Sequence, residues 1–167
     1  MKEYTNFENI LTVNEAWCAY QSSANSQAYF GKTPLPKFHQ IFQDPGLLVA
    51  CIRSGVSYAL FKSIQTWSPY SEEEWAVFLQ LSPKTLQRSS ASPGFRFKPI
   101  HSEKILQLSE VFLQGYAVFE SQSIFKSWLK TVSIALGGAT PEELMQVSYG
   151  KDIVLAEINN IDHGIFI

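Results

Sequence analysis

The 167-residue sequence predicts a mainly α-helical protein, and three observations carry that prediction. Helix-opening signals recur along the chain: Asp44-Pro45, Ser71-Glu72-Glu73-Glu74, Ser82-Pro83 and Thr140-Pro141-Glu142-Glu143 each put a capping side chain ahead of a helical first turn. Between these signals the apolar residues return at helical intervals, as Leu60, Phe61, Ile64 and Trp67 do. The composition, 46% hydrophobic against 17% charged, supplies a core and excludes a disordered chain.

Taken in order, Phe7 to Tyr20 is a candidate helix with Ile10, Val13 and Trp17 on one face. The polar stretch from Ser22 to Gln27 and the turn-rich stretch from Gly31 to Pro36 predict a looser region after it. Asp44 caps a short helix from Gly46 to Ser54, which Gly55 closes. Ser57 opens the next, and Ser68-Pro69 ends it, because the residue before a proline avoids the helical region. Ser71 and Glu74 form a capping box whose helix buries Trp75, Phe78 and Leu79. Ser82-Pro83 then starts a helix through Arg88, followed by a Ser/Pro/Gly-rich break from Ser89 to Gly94. A longer helix runs from His101-Ser102-Glu103 to about Phe119, with Ile105, Leu108, Phe112, Tyr116 and Phe119 along one side. A short helix at Ile124 to Lys130, a Gly137-Gly138 turn, a capped helix ending at Gly150 and a last helix from Lys151 to Asn160 complete the chain. The boundaries expected are an N-terminal segment 1–43, a helical domain 44–100 and a second helical domain 101–167.

Charge is distributed unevenly. Residues 1–83 carry net −2, residues 84–104 carry +4 and residues 105–167 carry −4. A phosphate backbone responds to local charge, so the basic segment is where nucleic acid would dock, although a solvated surface has the same composition. Cys18 and Cys51 suggest no disulfide framework and fit a reducing compartment. The opening Met1-Lys2-Glu3-Tyr4-Thr5-Asn6 lacks the apolar run of a signal peptide, and no apolar stretch is long enough to span a bilayer. The expectation is a cytoplasmic protein with no membrane partner. His39, His101 and His163 are isolated, without metal-ligand spacing, and no GxSxG, Walker loop or GxGxxG occurs. No enzyme, metal or cofactor is expected.

Two constellations remain. The pair Ser71–Leu79 and Ser82–Arg88, joined by a tight turn, has the spacing of a helix-turn-helix, in which the second helix enters the major groove. Leu86 points inward there, while Lys84, Thr85, Gln87 and Arg88 face out. Gln and Arg read base edges, Thr and Lys suit phosphates, and Arg96 and Lys98 add a second basic strip. A helical hairpin with a polar outer face has the same spacing, and both readings stand at this stage. The second constellation is the apolar end, Gly164-Ile165-Phe166-Ile167, which either packs on its own last helix or enters a partner's groove.

Val118-Phe119, Trp128-Leu129, Ala135-Leu136-Gly137-Gly138-Ala139-Thr140-Pro141, Gly150 and His163-Gly164 resemble the toxin-binding domain of Xre/MbcA/ParS-like antitoxins. That family's pattern runs Val-Phe, Trp-Leu, Ala-Leu-Gly-Gly-x-x-Pro, Gly, and a terminal His/Tyr-Gly. Upstream, Arg53-x-Gly55 and Ser82-Pro83-Lys84-Thr85-Leu86-Gln87-Arg88 look like its Xre-type helix-turn-helix, with Lys84 where an Arg is usual. The resemblance covers about residues 44–167. It implies a central Xre-like helix-turn-helix bundle followed by a small helical toxin-binding domain. It further implies a type II antitoxin, typically a homodimer, that neutralises a RES-domain, NAD-degrading toxin by direct contact and represses its own operon. On this reading Lys84, Thr85, Gln87, Arg88, Arg96 and Lys98 meet operator DNA, and Gly164, Ile165, Phe166 and Ile167 meet the toxin. Trp128, Leu129 and the glycines serve the fold. The alternative is a transcriptional regulator whose C-terminal domain dimerises or binds a different partner.

Overall fold

The computed structural model describes residues 7–23, 37–119 and 121–165, and side chains from Leu11 onward. Among the described residues the architecture is helical: α1 (Phe7–Ser22), a short 3-10 helix (Phe38–Gln43), α2 (Pro45–Ser54), α3 (Tyr58–Trp67), α4 (Glu72–Phe78), α5 (Pro83–Ser90), α6 (Pro99–Val118), α7 (Gln122–Leu129), α8 (Pro141–Met145) and α9 (Gly150–Asp162). Of the stretches expected to be loose, Ser22–Gln27 and Gly31–Pro36, Ser22 is the last residue of α1, and residues 24–36 lie outside the described residues. No helix among those described is long and apolar enough to cross a membrane. The chain divides into two compact units, Thr5–Leu106 and Gln107–Ile167, the boundary falling within α6.

The first unit is organised by its caps. Asp44 accepts from the N–H groups of Gly46 and Leu47 at 2.9 and 3.1 Å, and Ser57 accepts from Leu60 N–H at 3.2 Å. These bonds satisfy donors that the first helical turn leaves without an internal partner. Leu60, Phe61, Ile64 and Trp67 are all buried, as their spacing predicts. Phe61 sits at the centre of the core, edge-on to Trp75 at 5.3 Å and to Phe97 at 5.0 Å between ring centroids. Trp75 donates its indole N–H to Ser68 Oγ at 2.8 Å, so the residue that ends α3 also anchors α4.

The segment after α5 returns to this core. Phe97 N–H bonds the Val56 carbonyl at 2.8 Å, and Ser57 pairs with Arg96 in an isolated antiparallel bridge. The approach is close enough to require Gly55, where a Cβ would lie 2.6 Å from the Phe97 carbonyl oxygen at φ +79°. Ser102 holds the same junction from α6, accepting from Val56 N–H at 2.9 Å and donating to the Phe97 carbonyl at 3.2 Å.

Several elements differ from the sequence expectation. The break expected from Ser89 begins later, because Ser89 is buried and its hydroxyl donates to the Thr85 carbonyl at 3.1 Å, one helical turn back. The long helix opens at Pro99 instead of His101, since proline fits a first helical turn. Phe38–Gln43, with Phe38 and Ile41 buried, had no expected element.

In the second unit Gly115 on α6 makes room for Phe125 on α7: a Cβ there would lie 2.1 Å from the ring. Phe125 is fully buried against Tyr116, Phe119 and Trp128. Gly137 and Gly138 turn the following loop at φ +71° and +83°, closing Ser133 against Ala139. Thr140 and Glu143 complete the capping box of α8 at 3.1 and 2.8 Å. Gly150 has a different role from the helix stop expected of it. The helix α8 has already ended at Met145, and Gly150 is the first residue of α9, where a Cβ would lie 1.7 Å from the Leu144 carbonyl oxygen. Lys151 Nζ joins α9 to Glu110 of α6 at 2.9 Å. Burial lowers the Lys151 pKa, but the Glu110 and Asp152 carboxylates outweigh it, and the net shift is upward.

Candidate nucleic-acid and partner interfaces

The turn between α4 and α5 sets the first candidate site. Leu81 N–H bonds the Ala76 carbonyl at 2.9 Å and Gln80 N–H bonds the Val77 carbonyl at 3.0 Å, with Gln80 at φ 52°. This is the Schellman arrangement, which stops α4 and reverses the chain within a few residues. Ser82 then caps α5, accepting from Thr85 N–H at 3.0 Å. Leu86 is fully buried, whereas Lys84, Thr85, Gln87 and Arg88 are exposed together on the outer side of α5. The Thr85 hydroxyl is bonded to that of Ser82 at 2.8 Å, so its polar tip also serves the cap. Lys98 is exposed as well.

Arg96 turns the other way. Its guanidinium donates to the Gly55 carbonyl at 2.8 Å, to the Ser54 carbonyl at 3.4 Å and to Ser23 Oγ, and it stands 4.8 Å over the ring of Tyr20. The Tyr20 hydroxyl bonds Ser54 Oγ in turn. Arg96 therefore ties α1 to the α2–α3 turn, and no spacing rule signals that partner in advance.

Two groups of this unit titrate away from their ordinary range. Burial first, then the Lys98 charge, hold the His101 imidazole below its ordinary range, against an opposing interaction with the Leu79 backbone at the end of α4. Cys51 is buried, which pushes its thiol up to about 12, so it is a core side chain without nucleophilic character at neutral pH. No cluster of His, Cys, Asp and Glu among the described residues has the makings of a metal site.

The second candidate site is the end of α9. Gly164 N–H bonds the Ile161 carbonyl at 3.0 Å and Ile165 N–H bonds the Asn160 carbonyl at 2.9 Å, with Gly164 at φ +69°. This second Schellman motif turns the chain off the helix. Such motifs commonly add an apolar contact between the residue after the glycine and the last helical turn. The positions that would supply it are Asn159 and Asn160, and Ile165 is 52% exposed. Phe166 and Ile167 lie outside the described residues.

Residues 48–110 match the profile described as the antitoxin Xre-like helix-turn-helix domain, and residues 114–164 match the one described as the antitoxin Xre/MbcA/ParS C-terminal toxin-binding domain. The chain belongs to the Xre/MbcA/ParS-like antitoxin family. An "Antitoxin Xre" of Yersinia enterocolitica is 26% identical to it over 144 residues, covering 80% of this chain and 95% of that protein. In this antitoxin the helix-turn-helix profile runs from within α2 into α6 and includes α4, the Gln80 turn and α5, and the toxin-binding profile runs from the end of α6 to the Gly164 turn. It is a type II antitoxin with a DNA-binding helix-turn-helix and a helical C-terminal toxin-binding domain.

Proposed function

We propose that this cytoplasmic antitoxin neutralises a RES-domain, NAD-degrading toxin by occluding its active-site cleft, and that it represses its own operon as a homodimer. In this reading residues 44–100 bind operator DNA and residues 101–167 bind the toxin, while the segment 1–43 contributes α1 to the packing around Arg96. Lys84, Gln87, Arg88 and Lys98 face the duplex, with Thr85 at the start of the reading helix. Arg96, engaged by the Gly55 carbonyl and Tyr20, holds α1 to the α2–α3 turn. Gly164 to Ile167 enter the cleft. The chain acts by binding and carries out no chemistry of its own.

The observation that carries the toxin reading is the chain end. Gly164 takes a left-handed backbone at the end of α9, and Ile165, whose N–H bonds the Asn160 carbonyl, is left half in water. Ile165, half exposed, gains by entering a partner's groove, and the apolar Phe166 and Ile167 follow it in the sequence. Deleting Ile165–Ile167 tests this. Co-expressed with the toxin encoded beside it, the truncated chain should fold, bind operator DNA as before and fail to restore growth or NAD levels. Full neutralisation by the truncated chain would reject the tail as the inserted element.

A further inference from the structure

The uncharged hydrogen-bonding side chains of the reading helix α5 are Ser82 at its cap, then Thr85, Gln87, Ser89 and Ser90. All but one of them are engaged by the helix itself. Ser82 Oγ accepts from Thr85 N–H at 3.0 Å and is hydrogen-bonded to the Thr85 hydroxyl at 2.8 Å. The Ser89 hydroxyl donates to the Thr85 carbonyl at 3.1 Å, and the Ser90 hydroxyl donates to the Gln87 carbonyl at 2.6 Å. Hydroxyls bonded locally in this way hold the helix and its cap. Gln87 is the exception. Its side chain is exposed, and its amide has no hydrogen-bond partner among the described residues.

Direction follows from the two residues that turn inward. Leu86 and Ser89 are buried, three positions apart on one side of the helix. At about 3.6 residues per turn the opposite side carries Lys84, with Gln87 and Arg88 on either side of it, and leaves Thr85 and Ser90 at the flanks. Lys84 and Arg88 bring positive charge, which attracts the phosphates of any duplex alike. Sequence is read from the base edges exposed in the grooves. The Gln87 amide offers a donor and an acceptor side by side. Adenine presents the complement in the major groove, its N7 accepting and its N6 amino group donating.

Resting on the operator reading of α5, we infer that Gln87 sets the base sequence of the operator through a paired hydrogen bond to one adenine in the major groove of each half-site, and that the hydroxyls of α5 take no part in the readout. The cations hold the duplex, and Gln87 fixes the register. The inference has a chemical consequence for the DNA. A methyl group on N6 takes the place of the major-groove hydrogen that Gln87 accepts, so an operator methylated at this adenine binds the wild type as an unmodified one binds Gln87→Ala.

The test starts from duplexes that the full-length chain selects out of a randomised pool. Sites enriched by the wild type should share an adenine that sites enriched by Gln87→Ala do not. At that base pair, 7-deazaadenine, which lacks the N7 acceptor, or N6-methyladenine should weaken binding to the wild type by about tenfold or more and leave Gln87→Ala unaffected. The salt dependence should be the same for both proteins, because an amide neutralises no phosphate. Alanine favours a helix, so Gln87→Ala should melt no earlier than the wild type; if it does, Gln87→Met, close in length, replaces it. Thr85→Val keeps the shape and loses the hydroxyl, so it should lower the melting temperature through the cap and leave the base preference as it is. A modified adenine that weakens both proteins equally overturns the assignment to Gln87. A salt dependence altered in Gln87→Ala overturns it too, since the docking itself has then moved. A base preference altered by Thr85→Val overturns the exclusion of the hydroxyls. In each of these cases the chain still reads DNA. If the wild type enriches no sequence from the pool, the operator reading itself falls, and this inference falls with it.

Discussion

Gln80 holds a left-handed backbone, φ 52°, at the one position of the α4–α5 turn where the Schellman geometry requires it. A residue with a Cβ pays about 1–2 kcal/mol there, more than the roughly 0.5–1 kcal/mol of extra chain entropy that glycine loses on folding. Gln80→Gly should therefore stabilise the protein by about 0.5–1 kcal/mol, read as a higher urea midpoint at unchanged slope. A lower midpoint would mean that the Gln80 side chain contributes a contact worth more than the strain. His101, close to the same turn, gives a second prediction at this scale. Its folded pKa lies below its unfolded one, chiefly through burial. The unfolded chain thus binds the proton more readily, and stability rises with pH across that window. This contribution is complete above the unfolded value of about 6.5 and is lost as pH falls toward and through the folded value. Denaturation midpoints measured down through that range should fall in the wild type and flatten in His101→Gln. An equal fall in both would place the proton uptake elsewhere.

At the scale of elements, Arg88 and Arg96 share a side-chain type and a basic segment but have different work. Arg88 stands exposed on α5, so Arg88→Ala should leave stability within about 0.5 kcal/mol while weakening operator binding by about 1–3 kcal/mol. Arg96 donates to the Gly55 carbonyl and covers Tyr20, so Arg96→Ala should cost about 2 kcal/mol of stability, seen in the thermal melt. The reverse pattern would exchange their roles. This contrast shows where the sequence could be read and where it could not. The caps at Asp44, Ser57, Ser71, Ser82 and Thr140 are local, each settled within three residues, and the structure has all of them. The buried face of α3 follows from helical periodicity in the same way. Long-range partners left no such trace: Arg96 meets Ser23 across 73 residues of chain, and Ser102 meets Val56 across 46. Gly150 departs from its expected role for a related reason. A helix stop and a helix start packed on a preceding carbonyl both call for glycine, and only the position of Leu144 distinguishes them. For the candidate DNA face, spacing alone gathered Lys84, Thr85, Gln87 and Arg88 on one side of a helix. It had no means of seeing that Arg96 folds back into its own unit.

For the whole molecule, the question is how a chain of net charge −2 binds a polyanion. The +4 segment overstates the charge available to phosphates. Arg96 is engaged in the fold, and Lys104 is held below its ordinary pKa by burial, against the pull of Glu103. Lys84, Arg88 and Lys98 remain as the exposed cations of the segment. Each neutralised phosphate releases counterions worth a slope of about −0.9 in log affinity against log salt. One chain should then give a slope of about −3, and a homodimer on a two-fold operator about −5. Operator affinity measured by fluorescence anisotropy between about 50 and 200 mM salt separates the two cases. A slope near −5 that drops by about 2 in Lys84→Ala supports a dimer that places both copies of α5 on the duplex. A slope near −3 would mean that a single chain binds. A slope near zero would overturn the assignment of Lys84, Arg88 and Lys98 to the phosphate backbone, since an acidic protein without those contacts has no electrostatic source of affinity for DNA.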